Sequence, residues 1–198
     1  MKKNLGPIDI IFPVPAALVA SGTMERPNVL TVAWIGMMGS DPPVLAISLK
    51  KSRHSLAVIE KQKEFTVNIP SSKLFRETDY CGLVSGRRRR KFHDCGFTAM
   101  AGLVVKAPLI EECPFNLECR LVHEVGFGDW VVVFGEIVES YVDADKVDGA
   151  TGAIDVAKID PLVYCATVRE YWNLGNRLRF GFRAGKELVR KAKVKNGQ

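Results

Sequence analysis

Residues 28–55 read NVLTVAWIGMMGSDPPVLAISLKKSRHS, and the other segments of the chain take their places from them. Val29, Thr31, Ala33 and Ile35 alternate with Leu30, Val32 and Trp34, the period of a strand packed on both faces. Gly36, Gly39, Asp41, Pro42 and Pro43 then break regular structure. Residues 44–49 form a second short apolar run. Lys50, Lys51, Ser52, Arg53, His54 and Ser55 follow, and the spacing of Leu56, Ile59 and Gln62 is helical. The expectation is two strands, a Gly- and Pro-rich turn between them, and a helix opening directly from the second.

That helix start has a chemical meaning. Ser52 or Ser55 can cap it. Free backbone N–H groups and the positive end of the helix dipole face outward there. With Lys50, Arg53 and two hydroxyls added, the junction suits a phosphate group. Upstream, Ala33, Gly36 and Gly39 let a flat ligand approach the backbone, with Trp34 as a wall. A phosphate at one end and a planar ring at the other describe a nucleotide or flavin mononucleotide (FMN). The same residues equally describe a strand pair, a capped helix and a solvated basic turn, so the stretch alone leaves both readings open.

Outward from this stretch, residues 16–21 read as a short strand and 22–27 as a polar turn. EFTVNI at 64–69 alternates and ends at Pro70, which cannot donate to a ladder. Residues 71–80 have helical potential, with Ser72 as cap and Leu74 and Phe75 inward. Gly82 and Gly86 bracket a loop that carries four arginines at 87–90. Residues 102–108 suggest a short strand. Residues 115–142 give the clearest β signal: Phe115, Leu117, Cys119, Leu121 and His123 alternate with Asn116, Glu118, Arg120, Val122 and Glu124, 126–129 turn the chain, and 130–142 are mostly β-branched or aromatic. Gly135 marks a bend or bulge. Residues 143–158 read as loop or weak helix and 162–168 as a last strand. Seven or eight short strands with few helices favour a closed antiparallel β-barrel over a βαβ fold.

The totals agree. The 198 residues are 47% hydrophobic and 25% charged, enough for a sizeable core, and no apolar run is long enough to span a bilayer. The start has no adequate apolar region for a signal peptide, so a cytoplasmic location is expected. Five scattered cysteines without a CxxC pair read as reduced thiols, and three isolated histidines argue against a structural metal. Net charge is +6, yet residues 87–91 contribute +5 and 183–195 another +5, leaving −4 for the remainder. Two local patches do not make the broad basic surface of a nucleic-acid binder. The arginine loop reads first as solvated, and second as an electrostatic lure for an acidic protein or a dinucleotide phosphate. His123, on the apolar face of its strand, reads as a core residue. Cys81 and Cys95 are candidate redox partners, although buried inert thiols are the commoner case.

The spaced motifs resemble the flavin reductase-like, FMN-binding split-barrel family, and within it the flavoredoxin branch. They are Asn28-x-x-Thr31-x-Ala33-Trp34-x-Gly36, Ser48-Leu49-Lys50-Lys51-x-Arg53-His54-Ser55, Phe65-Thr66-Val67-Asn68-Ile69-Pro70, Ser85-Gly86-Arg87 with Lys91-Phe92 and Gly96, Leu117-Glu118-Cys119, Phe134-Gly135-Glu136-Ile137 and Tyr171-x-x-Leu174-Gly175. The resemblance implies a mainly β protein: a six-stranded antiparallel Greek-key split barrel with a few short helices. The barrel domain would span residues 15–182, between an N-terminal arm (1–14) and a basic C-terminal helix or tail (183–198). It also implies a homodimer with FMN near the subunit interface. By the same resemblance Thr31, Trp34, Ile35 and Gly36 would border the isoalloxazine ring. Ser48, Leu49 and Lys50 would line the ribityl chain. Ser52, Arg53, His54 and Ser55 would take the phosphate, with Lys91 as a further cation. One departure concerns Trp130, in Gly128-Asp129-Trp130, where similar proteins commonly have histidine; tryptophan can stack on a ring but cannot relay a proton. The implied activity is FMN-dependent electron transfer, with NADH or NADPH as donor or a redox protein as partner. A flavin sensor or store without turnover is the rival reading, and a nucleic-acid-binding barrel a more distant one.

Overall fold

The computed structural model describes residues 1–9, 11–186 and 188–189. Among the described residues the strands and α-helices with defined bounds run in the order β1 (Val14–Pro15), β2 (Ala17–Gly22), β3 (Pro27–Val32), β4 (Ile35–Ser40), β5 (Pro43–Lys50), α1 (His54–Gln62), β6 (Glu64–Ile69), α2 (Phe75–Leu83), α3 (Lys91–Cys95), β7 (Ala99–Met100), β8 (Leu109–Ile110), β9 (Phe115–Phe127), β10 (Trp130–Val142), α4 (Val156–Ile159), β11 (Val163–Cys165) and β12 (Glu170–Trp172). The main sheet has seven strands in the order β3-β2-β6-β9-β10-β5-β4, all neighbours antiparallel. Small sheets β1-β11-β12 and β7-β8 complete the β structure.

The expected single strand over 29–35 divides. β3 pairs with β2 and β4 pairs with β5, so one continuous piece of chain supplies both edges of the sheet. The break falls at Ala33 and Trp34, where the Trp34 carbonyl accepts from the Ser48 amide at 2.9 Å. The sheet therefore curls on itself, and the split strand accounts for seven strands where six were expected. Gly36 and Gly39 do not end the strand as expected. They lie within β4, which is mostly exposed, and a bulge between Met37 and Gly39 takes up the irregularity.

Alternation along β2, β3, β5, β6, β9 and β10 sorts side chains into two cores. Val19, Leu30, Val32, Leu45, Ile47, Phe65, Val67, Val131 and Val133 fill the barrel, and Leu56 and Ile59 of α1 close on them. Leu18, Ala20 and Val29 point the other way, where Cys81 of α2 and Phe92 of α3 cover them. The β9–β10 hairpin turns at Gly128 and Asp129, so β9 runs two residues into the expected turn of 126–129. Its register slips at Phe134/Gly135, the bulge anticipated from Gly135. A Cβ on Gly135 would lie 2.4 Å from Phe65 Cζ, so the aromatic ring takes the volume of the missing side chain.

Other expectations are corrected. Residues 102–108 form no strand, because their amides are taken by a side chain: Leu103 and Val104 donate to the Glu118 carboxylate at 2.8 and 2.9 Å, and Val105 donates to it as well. Burial acts to raise the Glu118 pKa, but the Tyr141 hydroxyl and these three amides outweigh it and hold the carboxyl below its usual value. Ser72 does not cap α2; its hydroxyl bonds Asp160, and a 3-10 turn precedes the helix. Phe75 is exposed. The strand expected over 162–168 is shorter, Val163–Cys165, and it is not the last, since β12 follows it. His123 is exposed because the outer half of β9 projects beyond the barrel wall. The expected basic helix or tail reaches into residues 187 and 190–198, outside the described residues.

Candidate functional site

Two clefts meet where β3, the end of β5 and the start of α1 converge. They share Leu30, Lys50 and Arg53. They measure about 160 and 170 Å³, and both open to solvent.

The first cleft is a slot. One wall is backbone and small or apolar side chains: Thr31, Val32, Ala33, Ser48 and Leu49. The other is aromatic. Antiparallel pairing sets Trp130 opposite Lys50, and the Trp34 and Trp130 rings lie 4.3 Å apart at 30°. Lys50 Nζ is 5.3 Å from the Trp130 ring, a cation–π contact at the seam of the two clefts. Thr31 donates its hydroxyl to the Thr78 carbonyl, which fixes its rotamer. Ser48 Oγ is buried and has no hydrogen-bond partner among the described residues. A buried hydroxyl without a partner costs stability, so this one is a ready contact for a ligand's polar atom.

The second cleft is cationic. Ser52, Arg53, His54 and Ser55 come from the β5–α1 junction, Val84, Ser85 and Gly86 from the loop after α2, and Lys91 from the first turn of α3. The junction is not capped as expected: Arg53 occupies the N-cap position in extended backbone, and no side chain caps the helix. Ser55 instead turns inward, its Oγ accepting from Asn28 Nδ2 at 2.8 Å. Of the first-turn amides of α1, that of Leu56 donates to the Arg53 carbonyl at 3.2 Å, and those of His54 and Ser55 are left for another acceptor. Lys91 is buried, with Nζ donating to the Cys81 carbonyl at 2.7 Å. Burial holds its pKa below the usual ammonium value, and the Arg53 charge adds to the shift. His54 is also pushed down, first by burial and then by the charges of Arg87 and Lys91, so its imidazole is neutral at neutral pH. Among the described residues no carboxylate lines either cleft. The arrangement sets a cluster of cations and hydroxyls beside an aromatic-walled slot.

Eleven of the thirteen residues singled out from the sequence meet in these clefts: Thr31, Trp34, Ser48, Leu49, Lys50, Ser52, Arg53, His54, Ser55, Lys91 and Trp130. Ile35 and Gly36 do not. Ile35 is half-buried against the barrel core, and Gly36 pairs with Ala46 in β4. Sequence reasoning missed Leu30, Val32, Val84, Ser85 and Gly86 as lining. Gly86 was the available signal: a Cβ there would fall 2.0 Å from Asn28 Oδ1 and 3.2 Å from His54 Cδ2, so the loop closes on the helix start only through a glycine. Within the four-arginine loop, Arg89 is tied to Asp94 at 2.9 Å, while Arg87, Arg88 and Arg90 form no ion pair among the described residues.

A flavin reductase like domain model matches residues 10–173. The flavoredoxin of Desulfovibrio vulgaris (Miyazaki F) superposes with a TM-score of 0.88 at 35% identity, over 93% of this chain and 100% of that one. The flavoredoxin of Methanosarcina acetivorans gives 0.87 at 30% identity, over 95% and 100%. An NADH-dependent FMN reductase of Streptomyces nodosus subsp. asukaensis is 24% identical over 132 residues, 65% of this chain and 69% of that protein. The split barrel, the paired clefts and these matches agree that the chain belongs to the flavin reductase-like family.

Proposed function

We propose that the protein is an FMN flavoprotein that transfers electrons, with the phosphate in the cationic cleft and the ring system in the aromatic slot. The observation that carries this reading is the joining of the two clefts through Leu30, Lys50 and Arg53, one matched to a phosphomonoester and the other to a planar body. Two features support the fit: the unpartnered Ser48 hydroxyl in the slot, and the Gly86 approach that shapes the phosphate end.

Each residue then has a task. Arg53, Lys50 and Lys91 neutralise the phosphate, and the first-turn amides of α1 orient it. Ser48 donates to a polar atom of the ligand. Trp34 and Trp130 flank the slot and keep water from one side of it. When bound, FMN supplies the redox chemistry, which the protein tunes through placed charge; Lys50, common to both clefts, is the cation that favours the more negative reduced state. Among the described residues the slot is lined by no histidine, cysteine or carboxylate, and Trp130 cannot relay a proton. This favours electron relay between partners, as a flavoredoxin, over a reaction needing a protein acid. NADH or NADPH, or a redox protein drawn by the unpaired arginines, is the donor in this reading. Exposed Val122, Val125 and Phe127 on β9, with Met37 and Met38 on β4, support a homodimer, and the unpaired thiols suit the cytoplasm.

The test is spectroscopic. The purified protein should be yellow or take up added FMN in equal molar amount, and release it on denaturation. A colourless protein that binds no added FMN refutes the reading. Anaerobic addition of NADH, then NADPH, separates direct reductase from carrier: bleaching with either establishes hydride transfer, and no bleaching with both excludes it. Sedimentation at micromolar concentration should give twice the chain mass, and a monomer would refute the dimer.

A further inference from the structure

Two thiols unused by the proposed electron transfer meet beside the cationic cleft. Cys81, on α2, is fully buried, and Cys95, the last residue of α3, is half-buried. Their Sγ atoms are 3.7 Å apart, a van der Waals contact between residues 14 positions apart. A disulfide of about 2.05 Å needs only side-chain rotation and a small closing of the two helices from such a contact. The chain between them carries Val84, Ser85, Gly86 and Lys91 of the cleft, and Lys91 Nζ is bonded to the carbonyl of Cys81 itself.

We propose that Cys81 and Cys95 form a reversible dithiol–disulfide site, oxidised by a hydroperoxide, whose closed form staples α2 to α3 behind the cationic cleft. The half-buried Cys95 is the thiol a small peroxide reaches. Its thiolate attacks one peroxide oxygen, the O–O bond breaks, Cys95 becomes a sulfenic acid, and the departing hydroxide takes up the proton the thiol had released and leaves as the first water. The Cys81 sulfur then attacks the Cys95 sulfur; the S–S bond forms, the S–O bond breaks, and the departing hydroxide takes the Cys81 proton as the second water. Two electrons pass from the thiol pair to the peroxide, and a dithiol reductant reverses the change. Burial pushes both thiols up from their usual values, while the Lys91 charge pulls them down, so the reaction is slow at neutral pH and quickens in alkali. The site rests on the thiol geometry alone and does not depend on which ligand the cleft takes.

The test uses the full chain, reduced, desalted and exposed to hydrogen peroxide in the folded state, followed by thiol titration, intact mass and peptide mapping. The expected result is loss of two of the five thiols, a mass decrease of about 2 Da, a linked Cys81–Cys95 peptide, and recovery with dithiothreitol. Cys95→Ser under the same exposure should keep all its remaining thiols; should that variant fail to fold, the wild-type peptide map decides alone. Five free thiols after exposure overturn the proposal. So does a gain of about 16 or 32 Da without a disulfide, or a bond mapped to another pair.

Discussion

Gly86→Ala tests whether the loop after α2 and the start of α1 are locked together through Asn28. The added Cβ would lie 2.0 Å from Asn28 Oδ1, which must move. Asn28 is not free to do so without loss. Its Nδ2 donates to Ser21 Oγ at 3.0 Å and to Ser55 Oγ at 2.8 Å, and both hydroxyls are buried. Two buried hydrogen bonds at about 1 kcal/mol each, with hydroxyls left unsatisfied, put the cost at about 2–4 kcal/mol. Asn28→Ala should cost about the same through the same bonds. In the Asn28→Ala background the nearest remaining neighbour of the new Cβ is His54 Cδ2 at 3.2 Å, so Gly86→Ala should then add less than about 0.5 kcal/mol. Urea unfolding of the four proteins measures this, with a midpoint shift of roughly 1 M or more for each single variant. The coupling should be about 1.5–4 kcal/mol, and FMN affinity should fall in Gly86→Ala because the displaced amide moves Ser55. Equal costs of Gly86→Ala in both backgrounds would refute the locked-loop argument.

Gly135→Ala drives a methyl into the fully buried Phe65 ring and should destabilise by about 1–3 kcal/mol, read as a lower urea midpoint; an unchanged midpoint would mean the ring is free to move. Arg53→Ala should weaken FMN retention through the phosphate, roughly 10-fold or more, with little change in unfolding midpoint, since the side chain is exposed and its one bond, to the Gly82 carbonyl, is long at 3.3 Å. His54, its pKa lowered by burial and then by Arg87 and Lys91, binds a proton less readily folded than unfolded. Stability should therefore fall as pH drops from the ordinary histidine value of about 6.5 through the lowered one, and be insensitive to this group above it. The melting temperature of His54→Gln should be flatter than wild type below about pH 6.5, and identical slopes would sink the assignment.

The sequence by itself determined what depends on neighbours along the chain. Alternation placed β6 at its bounds and the long hairpin over 115–142, and Gly135 announced its bulge, because side-chain direction reverses at every residue of a strand. Lys50, Ser52, Arg53, His54 and Ser55 fall together in any fold that opens a helix there. Tertiary structure decided the rest. The break at Ala33 and Trp34 arises because one chain must serve both edges of a curled sheet, and no local pattern encodes that closure. Trp130 meets Lys50 through a pairing of strands some 80 residues apart, and Lys91 and Gly86 reach the helix start only because α2 and α3 cover the outer core. His123 looked inward by period and is exposed, since period gives the face of a strand and not what lies against it. The contact of Cys81 with Cys95 has the same origin: two helices fold back over one sheet face, and only their packing makes the thiols neighbours.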